Sequence, residues 1–218
     1  MKKIICIFSL LVFCWCSIGF AQEKVIQLPE PVMTGSMPLM EALSKRRTIR
    51  QYKPDPLSLQ QLSNLLWAAY GINDTTSQKR TVPSAYNWQE MRLYVVMKSG
   101  VFLYEAKAHQ LKRVLEQDIR EHTTIQRSLV DAPVQVLIVA DLTRILEKKR
   151  KRDLDDGKCW TLCSIDVGFI SQNIYLYCAS AGLATVVRDW VPRDKLRTQI
   201  SLNEYQKIMV AQTVGYPK

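Results

Sequence analysis

The residues best suited to chemistry are four cations within seven positions, Ser44-Lys45-Arg46-Arg47-Thr48-Ile49-Arg50. Arginine presents a planar fork of N–H donors that matches a phosphate, and Thr48 adds a hydroxyl group. Thr48 and Ile49 are β-branched and favour extended backbone, so Arg46, Thr48 and Arg50 are predicted to share one face. This basic segment, residues 44–50, indicates an anion site, although a solvated basic turn has the same composition.

A second segment, Pro83-Ser84-Ala85-Tyr86-Asn87-Trp88-Gln89, combines a proline, small residues, two aromatic rings and two amides. It lies between a polar stretch, residues 73–80, that is predicted to be a mobile loop and a predicted strand that starts at Met91. Loops of this content carry function more often than the elements they connect. Tyr86 and Trp88 suit either the wall of a substrate slot or the protein core, and the sequence leaves both interpretations open.

Other reactive side chains give no catalytic or metal-binding pattern. Cys159 and Cys163 are four residues apart on a predicted helix, which would suit either a metal pair or two small buried side chains. Burial is favoured because no histidine or further cysteine lies close by in sequence. His109 and His122 have no local partner of a catalytic kind, so we predict no catalytic side chain and no metal site.

The elements that must position these segments follow from periodicity and capping signals. A helix is predicted over 38–43, with Leu39 and Leu43 on its buried face, and another runs from the capping box of Ser58 and Gln61 to Gly71. The remaining predicted elements are a hairpin of 91–98 with 101–104, a charged helix over 105–121, a strand over 134–140 covered on both faces, a long helix over 160–181, a strand over 184–191, a short helix over 192–200 and a strand over 207–214. This alternation has no strict β-α-β repeat and no Gly-rich phosphate loop, which favours an α+β fold with a mixed sheet over a Rossmann domain.

The N-terminus has the pattern of a secretory signal peptide. Lys2 and Lys3 precede an apolar run over 4–20, and Gly19 and Ala21 are small residues at the positions that a signal peptidase inspects. A retained membrane anchor is the alternative, but the run of about 17 residues is at the short end of the spanning range. We therefore expect cleavage after residue 21, no stable membrane insertion afterwards and a secreted or periplasmic bacterial protein. Residues 22–37 are predicted to be an extended lead-in, and residues 38–218 one domain.

The chain is basic, with a net charge of +10. Removal of the signal peptide leaves 28 basic against 20 acidic side chains and a charge of +8. Six of the basic residues lie between Arg144 and Arg152, which suits either a nucleic-acid arm or a solvated loop. The run lacks interleaved aromatic residues and is followed at once by Asp153, Asp155 and Asp156. A solvated loop and no nucleic-acid partner are therefore expected.

Five segments, in this order along residues 38–218, resemble the FMN-dependent nitroreductase family: Arg46–Arg50, Pro83–Gln89, Asp166–Gly168 with Gln172–Ile174, Gly182–Thr185 and Gly215–Pro217. Residues 56–71 and 80–85 also resemble the branch that contains the flavin dehydrogenases of azole-forming peptide maturation. The resemblance implies an α+β fold with a central mixed, mostly antiparallel sheet flanked by helices. It also implies a homodimer packed through residues 160–181, with FMN at the interface.

The resemblance further implies roles for particular residues. Arg46, Arg47, Thr48 and Arg50 would hold the FMN phosphate and the polar side of the flavin. Pro83, Ser84 and Ala85 would reach the flavin from the partner subunit, and Asn87 would bond its polar edge. Gly182, Leu183, Ala184 and Thr185 would lie beside the isoalloxazine. Relatives continue past the Gly-Tyr-Pro with a basic residue and an arm that embraces the partner, whereas this sequence ends at Lys218; Lys218 is expected to supply part of the phosphate contact, and the dimer to be weaker.

The function predicted on these grounds is a secreted FMN-dependent oxidoreductase that acts on a small organic substrate. A flavin-binding protein without turnover and a basic anion-binding protein are the alternatives. The cofactor would carry the redox chemistry, while the protein supplies hydrogen-bond donors, positive charge and an apolar slot.

Overall fold

The computed structural model describes residues 25–146, 150 and 153–218. The predicted signal peptide, residues 1–21, lies outside these ranges. The described residues contain nine strands: β1 Val25–Gln27, β2 Ile72–Asp74, β3 Lys79–Arg80, β4 Met91–Met97, β5 Gly100–Glu105, β6 Gln110–Leu115, β7 Val134–Asp141, β8 Ala184–Arg188 and β9 Gln206–Gly215. The helices are α1 Leu39–Lys45, α2 Leu59–Tyr70, α3 Asp156–Ser180 and α4 Arg193–Gln199.

Seven of the strands form one sheet in the order β1-β6-β5-β4-β7-β9-β8. Every pairing between these strands is antiparallel, which confirms the predicted α+β class with a mostly antiparallel sheet. All eight residues of β7 are buried, as its nearly continuous apolar sequence predicts for a strand covered on both faces. One core packs the sheet against α2 and α3, and a second core lies on the opposite face beneath α4.

Helix α2 has the predicted boundaries for the predicted reasons. The Ser58 hydroxyl accepts the N–H of Gln61, and the Gln61 side chain accepts the N–H of Ser58. At the other end the chain passes so close to Trp67 that a Cβ on Gly71 would lie 2.5 Å from the indole ring. Only glycine fits there without displacing Trp67.

Helix α3 packs against the sheet along most of its length. Its inner face packs on the sheet through Cys159, Cys163, Val167, Ile170, Ile174 and Cys178, at intervals of three and four residues. These three cysteines, which are the ones in the described part of the chain, form no disulfide and are buried, which confirms their interpretation as small apolar side chains. The outer face exposes Ile165 and Phe169.

Several local predictions were wrong. The charged helix predicted over 105–121 is instead β6, flanked by turns, because pairing with β5 and β1 overrides the local helical pattern. The polar stretch predicted as a mobile loop contains the β2–β3 hairpin. The lead-in is extended, but its first described residues pair with β6 as the edge strand β1. Leu39 and Leu43, predicted to be buried, are exposed, and the buried residue of α1 is Ala42.

Among the described residues, no helix is long and apolar enough to cross a membrane. The same part of the chain contains no cluster of side chains that could hold a metal ion.

Candidate functional site

The basic segment is fastened to the last two strands of the sheet. The Ile49 N–H donates to the carbonyl of Thr185 over 3.1 Å, and Tyr52 forms an antiparallel bridge with Pro217. The Lys218 N–H donates to the Gln51 carbonyl over 3.3 Å. Three groups of predicted site residues, the basic segment, Gly182–Thr185 and Lys218, therefore meet at one edge of the sheet.

Tyr175 joins this edge to α3. Its hydroxyl oxygen lies 3.0 Å from the hydroxyl of Thr48 and accepts the N–H of Val187 over 3.2 Å. The guanidinium of Arg46 lies 5.3 Å from the centre of its ring, within the range of a cation–π contact. Sequence reasoning missed Tyr175 because it looks like any buried aromatic residue of a long helix, and only the fold brings Thr48 to it.

The cations of the basic segment differ in their surroundings. Lys45 pairs with Glu41 at 2.6 Å, and Arg47 donates to the carbonyls of Ser44 and Arg46, where α1 ends. Among the described residues, Arg46 and Arg50 form no ion pair with a carboxylate. This edge of the sheet therefore offers two guanidinium groups, a hydroxyl and Lys218 to an anion.

The Gly182–Thr185 segment lies where it was predicted, but most of its side chains point inwards. Gly182 ends the helical region with a φ of +66° and is exposed. Leu183, Ala184 and Thr185 are buried, and the Thr185 hydroxyl accepts a hydrogen bond from Gln212 over 3.2 Å. The segment consequently offers backbone rather than side chains to a bound molecule.

The Pro83–Gln89 loop is held in an unusual conformation. Tyr86, Asn87 and Gln89 have φ values of 50°, 53° and 52°, in the left-handed region that non-glycine residues rarely adopt. The Ser84 hydroxyl accepts the Gln89 N–H, and the Ala85 N–H donates to the Asp166 carboxylate on α3 over 2.9 Å. Strained backbone of this kind concentrates at functional sites and persists only where its surroundings hold it.

The two aromatic residues of this loop have different environments. Trp88 is 3% exposed and belongs to the core, whereas Tyr86 is 54% exposed. Their ring centres are 5.3 Å apart. Of the two open interpretations, the core therefore applies to Trp88, and only Tyr86 is placed to contact a bound molecule.

The loop and the basic segment are not brought together within one protomer. The loop touches α3 at Asp166, and the basic segment touches it at Tyr175, nine residues further along. At a rise of 1.5 Å per residue the two contacts are roughly 13 Å apart along the helix. A groove of about 830 Å³ lies between α1, α2, α3 and the lead-in, but no predicted site residue lines it.

Beside the loop lies a pair of carboxyl groups to which sequence reasoning gave no role. Glu90 is 0% exposed and Asp166 is 3% exposed. Burial, together with the nearby Asp166 carboxyl, raises the pKa of Glu90 to about 7, while its own backbone N–H and the Cys163 thiol act in the opposite direction. Burial likewise raises the pKa of Asp166, while the hydrogen bonds from Ala85 and Glu90 act in the opposite direction.

The protomer exposes apolar side chains along α1 and the outer face of α3. Leu39, Met40 and Leu43 are exposed on α1, and Ile165 and Phe169 on α3. Gly168 lies between the latter two, and a Cβ there would meet no atom within 4 Å. A solvated helix gains nothing from a mid-helix glycine, which costs about 1 kcal/mol relative to alanine. A glycine on an apolar stripe does allow another surface to approach closely.

Comparisons with known proteins agree with this architecture. The nitroreductase family model matches residues 43–216. A protein of Methanocaldococcus jannaschii assigned as a nitroreductase is 29% identical over 195 residues, covering 85% of this chain and 93% of that protein. A crystal structure from Ralstonia eutropha, also assigned as a nitroreductase, has a TM-score of 0.83 and 38% identity, and the match covers 90% of each chain.

A chain of the E. coli microcin synthetase complex has a TM-score of 0.67 at 15% identity, over 97% of this chain and 85% of that one, which shows a shared fold alone. The chain belongs to the nitroreductase family, and its membership supports an oxidoreductase activity.

Proposed function

We propose that this protein is an FMN-dependent oxidoreductase that acts on a small organic substrate. The observation that carries the proposal is the meeting of the basic segment, the Gly182 turn and Lys218 at one sheet edge, where Arg46 and Arg50 have no carboxylate partner among the described residues. A phosphate with two negative charges fits this set of donors. When bound, FMN supplies the redox chemistry; the protein holds it and orients the substrate.

The residues at this sheet edge have different roles in holding FMN. Arg46 and Arg50 neutralise the phosphate, and the Thr48 hydroxyl, whose position Tyr175 fixes, donates a further hydrogen bond. Arg47 lies beside them and also covers the carbonyls at the end of α1. The backbone of residues 182–185 faces the flavin ring, because the side chains there are committed to the interior.

The site is completed by a second copy of the chain. Two copies of α3 that pack in roughly antiparallel directions about a two-fold axis midway between Asp166 and Tyr175, less than one turn beyond Gly168, place Asp166 of one copy opposite Tyr175 of the other. The Pro83–Gln89 loop of the partner then reaches the basic segment, so the 13 Å gap within one protomer is bridged. The same packing covers Ile165, Phe169 and the apolar side chains of α1.

This arrangement gives Asn87 and Tyr86 their roles. The Asn87 amide bonds the polar edge of the flavin, and the half-exposed Tyr86 ring forms one wall of the substrate slot. Small aromatic or conjugated molecules, which stack on a flat ring, fit such a slot.

The compartment bears on the electron donor. With a signal peptide cleaved after Ala21, the mature protein would start at Gln22 and work outside the cytoplasm, where NAD(P)H is scarce. A membrane- or quinone-linked donor then reduces the flavin better than NAD(P)H. The intact mass of secreted protein tests the first point, and anaerobic stopped-flow mixing with NADH and NADPH tests the second: rapid reduction at micromolar nicotinamide would contradict it.

The absorption spectrum of the purified protein is the test of the whole proposal. A yellow protein with one FMN per chain that turns over with an artificial donor supports an oxidoreductase. A yellow protein that cannot be reduced and reoxidised supports a flavin-binding protein without turnover. A colourless protein that does not take up added FMN supports a basic anion-binding protein and contradicts the proposal.

A further inference from the structure

Two buried acidic residues, Glu90 and Asp166, contact the Pro83–Gln89 loop near its two ends. In the described structure neither has a cationic partner. Glu90 immediately follows the loop, and its backbone carbonyl accepts the N–H of Asp141 over 3.0 Å, which fixes it to β7. Asp166 lies on α3 and accepts the Ala85 N–H near the start of the loop. The carboxyl group of Glu90 lies within hydrogen-bonding reach of the Asp166 carboxyl. The pair therefore connects the two ends of the loop to the helix.

The pair cannot be satisfied as two carboxylates. Neither carboxyl oxygen of Glu90 accepts a well-formed hydrogen bond from an N–H or O–H donor among the described residues; the Cys163 thiol, a weak donor, interacts with it, and the side chain is fully buried. Two ionised carboxyl groups in contact, shielded from water, repel each other strongly. If one proton is held between them, the protonated Glu90 carboxyl donates a hydrogen bond to Asp166 and one negative charge is removed. The Asp166 carboxylate can still accept the N–H of Ala85.

Other groups around the pair do not remove the conflict. The titratable groups that interact with Glu90 besides Asp166 are Cys163 of α3 and Tyr70 of α2, and Arg80 and Arg144 lie beside Tyr70. In the described structure no ion pair joins either arginine to Glu90. Arg144 instead donates to the Gln89 carbonyl over 2.8 Å, and so holds the loop from its other side.

We propose that Glu90 and Asp166 share one proton and thereby act as positioning residues that latch the Ser84–Gln89 segment in its left-handed conformation. With the proton present, Glu90 donates a hydrogen bond to Asp166, and Asp166 accepts the N–H of Ala85. When the proton leaves, the two carboxylates repel each other and separate, which weakens the hydrogen bond from Ala85 to Asp166. The backbone at Tyr86 and Asn87 then relaxes from its strained conformation. The proton passes to water, and no other bond changes.

The consequence for function rests on the proposed FMN site, because Asn87 and Tyr86 are the residues that would meet the flavin and the substrate. The latch makes cofactor affinity fall as pH rises through neutrality. This direction follows from the pKa of Glu90 near 7: the latched form predominates below that pH and is lost above it.

Amide hydrogen exchange at Ala85 in FMN-free protein tests the latch directly. After correction for the intrinsic pH dependence of exchange, protection of the Ala85 amide should fall about tenfold between about pH 6 and about pH 8. Glu90→Gln should keep the amide protected at both values, because the glutamine amide donates to Asp166 without a titratable proton. Asp166→Ala should lose protection at both, and Glu116→Gln, on an exposed turn far from the loop, should behave as wild type.

Protection that is independent of pH in the wild type, or equally pH-dependent in Glu90→Gln, would overturn the proposal. If a variant does not fold, carboxyl carbon-13 NMR of the wild-type protein replaces it: a glutamate that titrates near pH 7 is expected, and titration of every glutamate below about pH 5 would contradict the shared proton. These measurements need no bound flavin, so a failure of the latch and a failure of FMN binding are told apart. In protein that binds FMN, affinity should weaken about tenfold from pH 6 to pH 8 in the wild type and stay constant in Glu90→Gln.

Discussion

The stretch of α3 from Asp166 to Tyr175 presents opposite electrostatic problems at its two ends, called here the closed end at Asp166 and the open end at Tyr175. Near Tyr175, Arg46 and Arg50 lie in the open with no carboxylate partner among the described residues. Near Asp166, two carboxyl groups are buried, and no cation in the described part of the chain is paired with either. The open end is incomplete and suits an external anion, whereas the closed end can resolve its conflict internally by keeping a proton. Unpaired charge thus marks a binding site where it is exposed and a positioning device where it is buried.

Removal of a cation from the open end should have the largest effect. Arg50→Ala or Arg46→Ala is expected to weaken FMN binding by about 30- to 4,000-fold, since a phosphate that loses a charged partner loses roughly 2–5 kcal/mol. Fluorescence titration with FMN measures the change. Arg197→Ala, a matched loss of charge on the opposite face of the sheet, should bind FMN as wild type does. Unchanged affinity in Arg50→Ala would remove the open end from the site.

A charge on the face of α3 between the two ends should separate the copies. Phe169→Asp buries one carboxylate from each copy in the proposed two-fold contact, and the dimer dissociation constant is expected to rise by about 100-fold or more. Sedimentation velocity across a concentration series gives that constant. Ile125→Asp is the control, because Ile125 is even more exposed but lies in the segment between Thr123 and Arg127, outside α1 and α3. A wild-type protein that stays monomeric at micromolar concentration with FMN bound would contradict the arrangement.

The shared proton at the closed end should make the free energy of unfolding depend on pH. Because the folded state raises the pKa of Glu90 from 4.5 to about 7, its contribution is fully present below about pH 4.5 and is lost as pH rises towards 7. The loss is about 3 kcal/mol. Urea unfolding of wild type and Glu90→Gln at several pH values isolates this contribution, since other carboxyl groups act equally in both proteins. Parallel curves for the two proteins would exclude the shared proton.

The smallest effect is expected from the hydroxyl group that ties the open end to α3. Tyr175→Phe removes the contacts to Thr48 and to the Val187 N–H while keeping the ring beneath Arg46. A loss of about 1 kcal/mol in stability, with weaker FMN binding, is expected. Tyr205→Phe is the control, since its hydroxyl makes no contact of this kind in the described structure. Identical melting temperatures and FMN affinities for the two variants would show that Tyr175 only fills space.

The same contrast explains which features could be predicted from sequence. Capping signals and apolar periodicity are local, so α2, the β4–β5 hairpin, β7 and α3 were predicted with nearly correct boundaries. β6 was wrong because its strand character comes from partners distant in sequence. Leu39 and Leu43 fit an amphipathic pattern, but the protomer supplies nothing to cover them.

The open end could be anticipated because its residues are consecutive, charged and unusual. The closed end could not, because Glu90 and Asp166 are 76 positions apart and each is an ordinary acid in its own segment. Tyr175 was not predicted as a site residue for the same reason, because its partners Thr48 and Val187 are its neighbours only in the folded chain. Family resemblance supplied the roles of residues 83–87 and 182–185, and their assignment to FMN stays a prediction.

The central claim is that each cofactor site takes its basic segment from one copy and its loop from the other. Complementation between two defective homodimers tests it most directly. Arg50→Ala and Asn87→Ala chains, each impaired alone, are mixed, allowed to exchange subunits and purified as heterodimers through different tags. In such a heterodimer one shared site contains both substitutions and the other contains neither. The account predicts about one FMN of wild-type affinity per heterodimer; no tight site in the heterodimer would place basic segment and loop in the same protomer and contradict it.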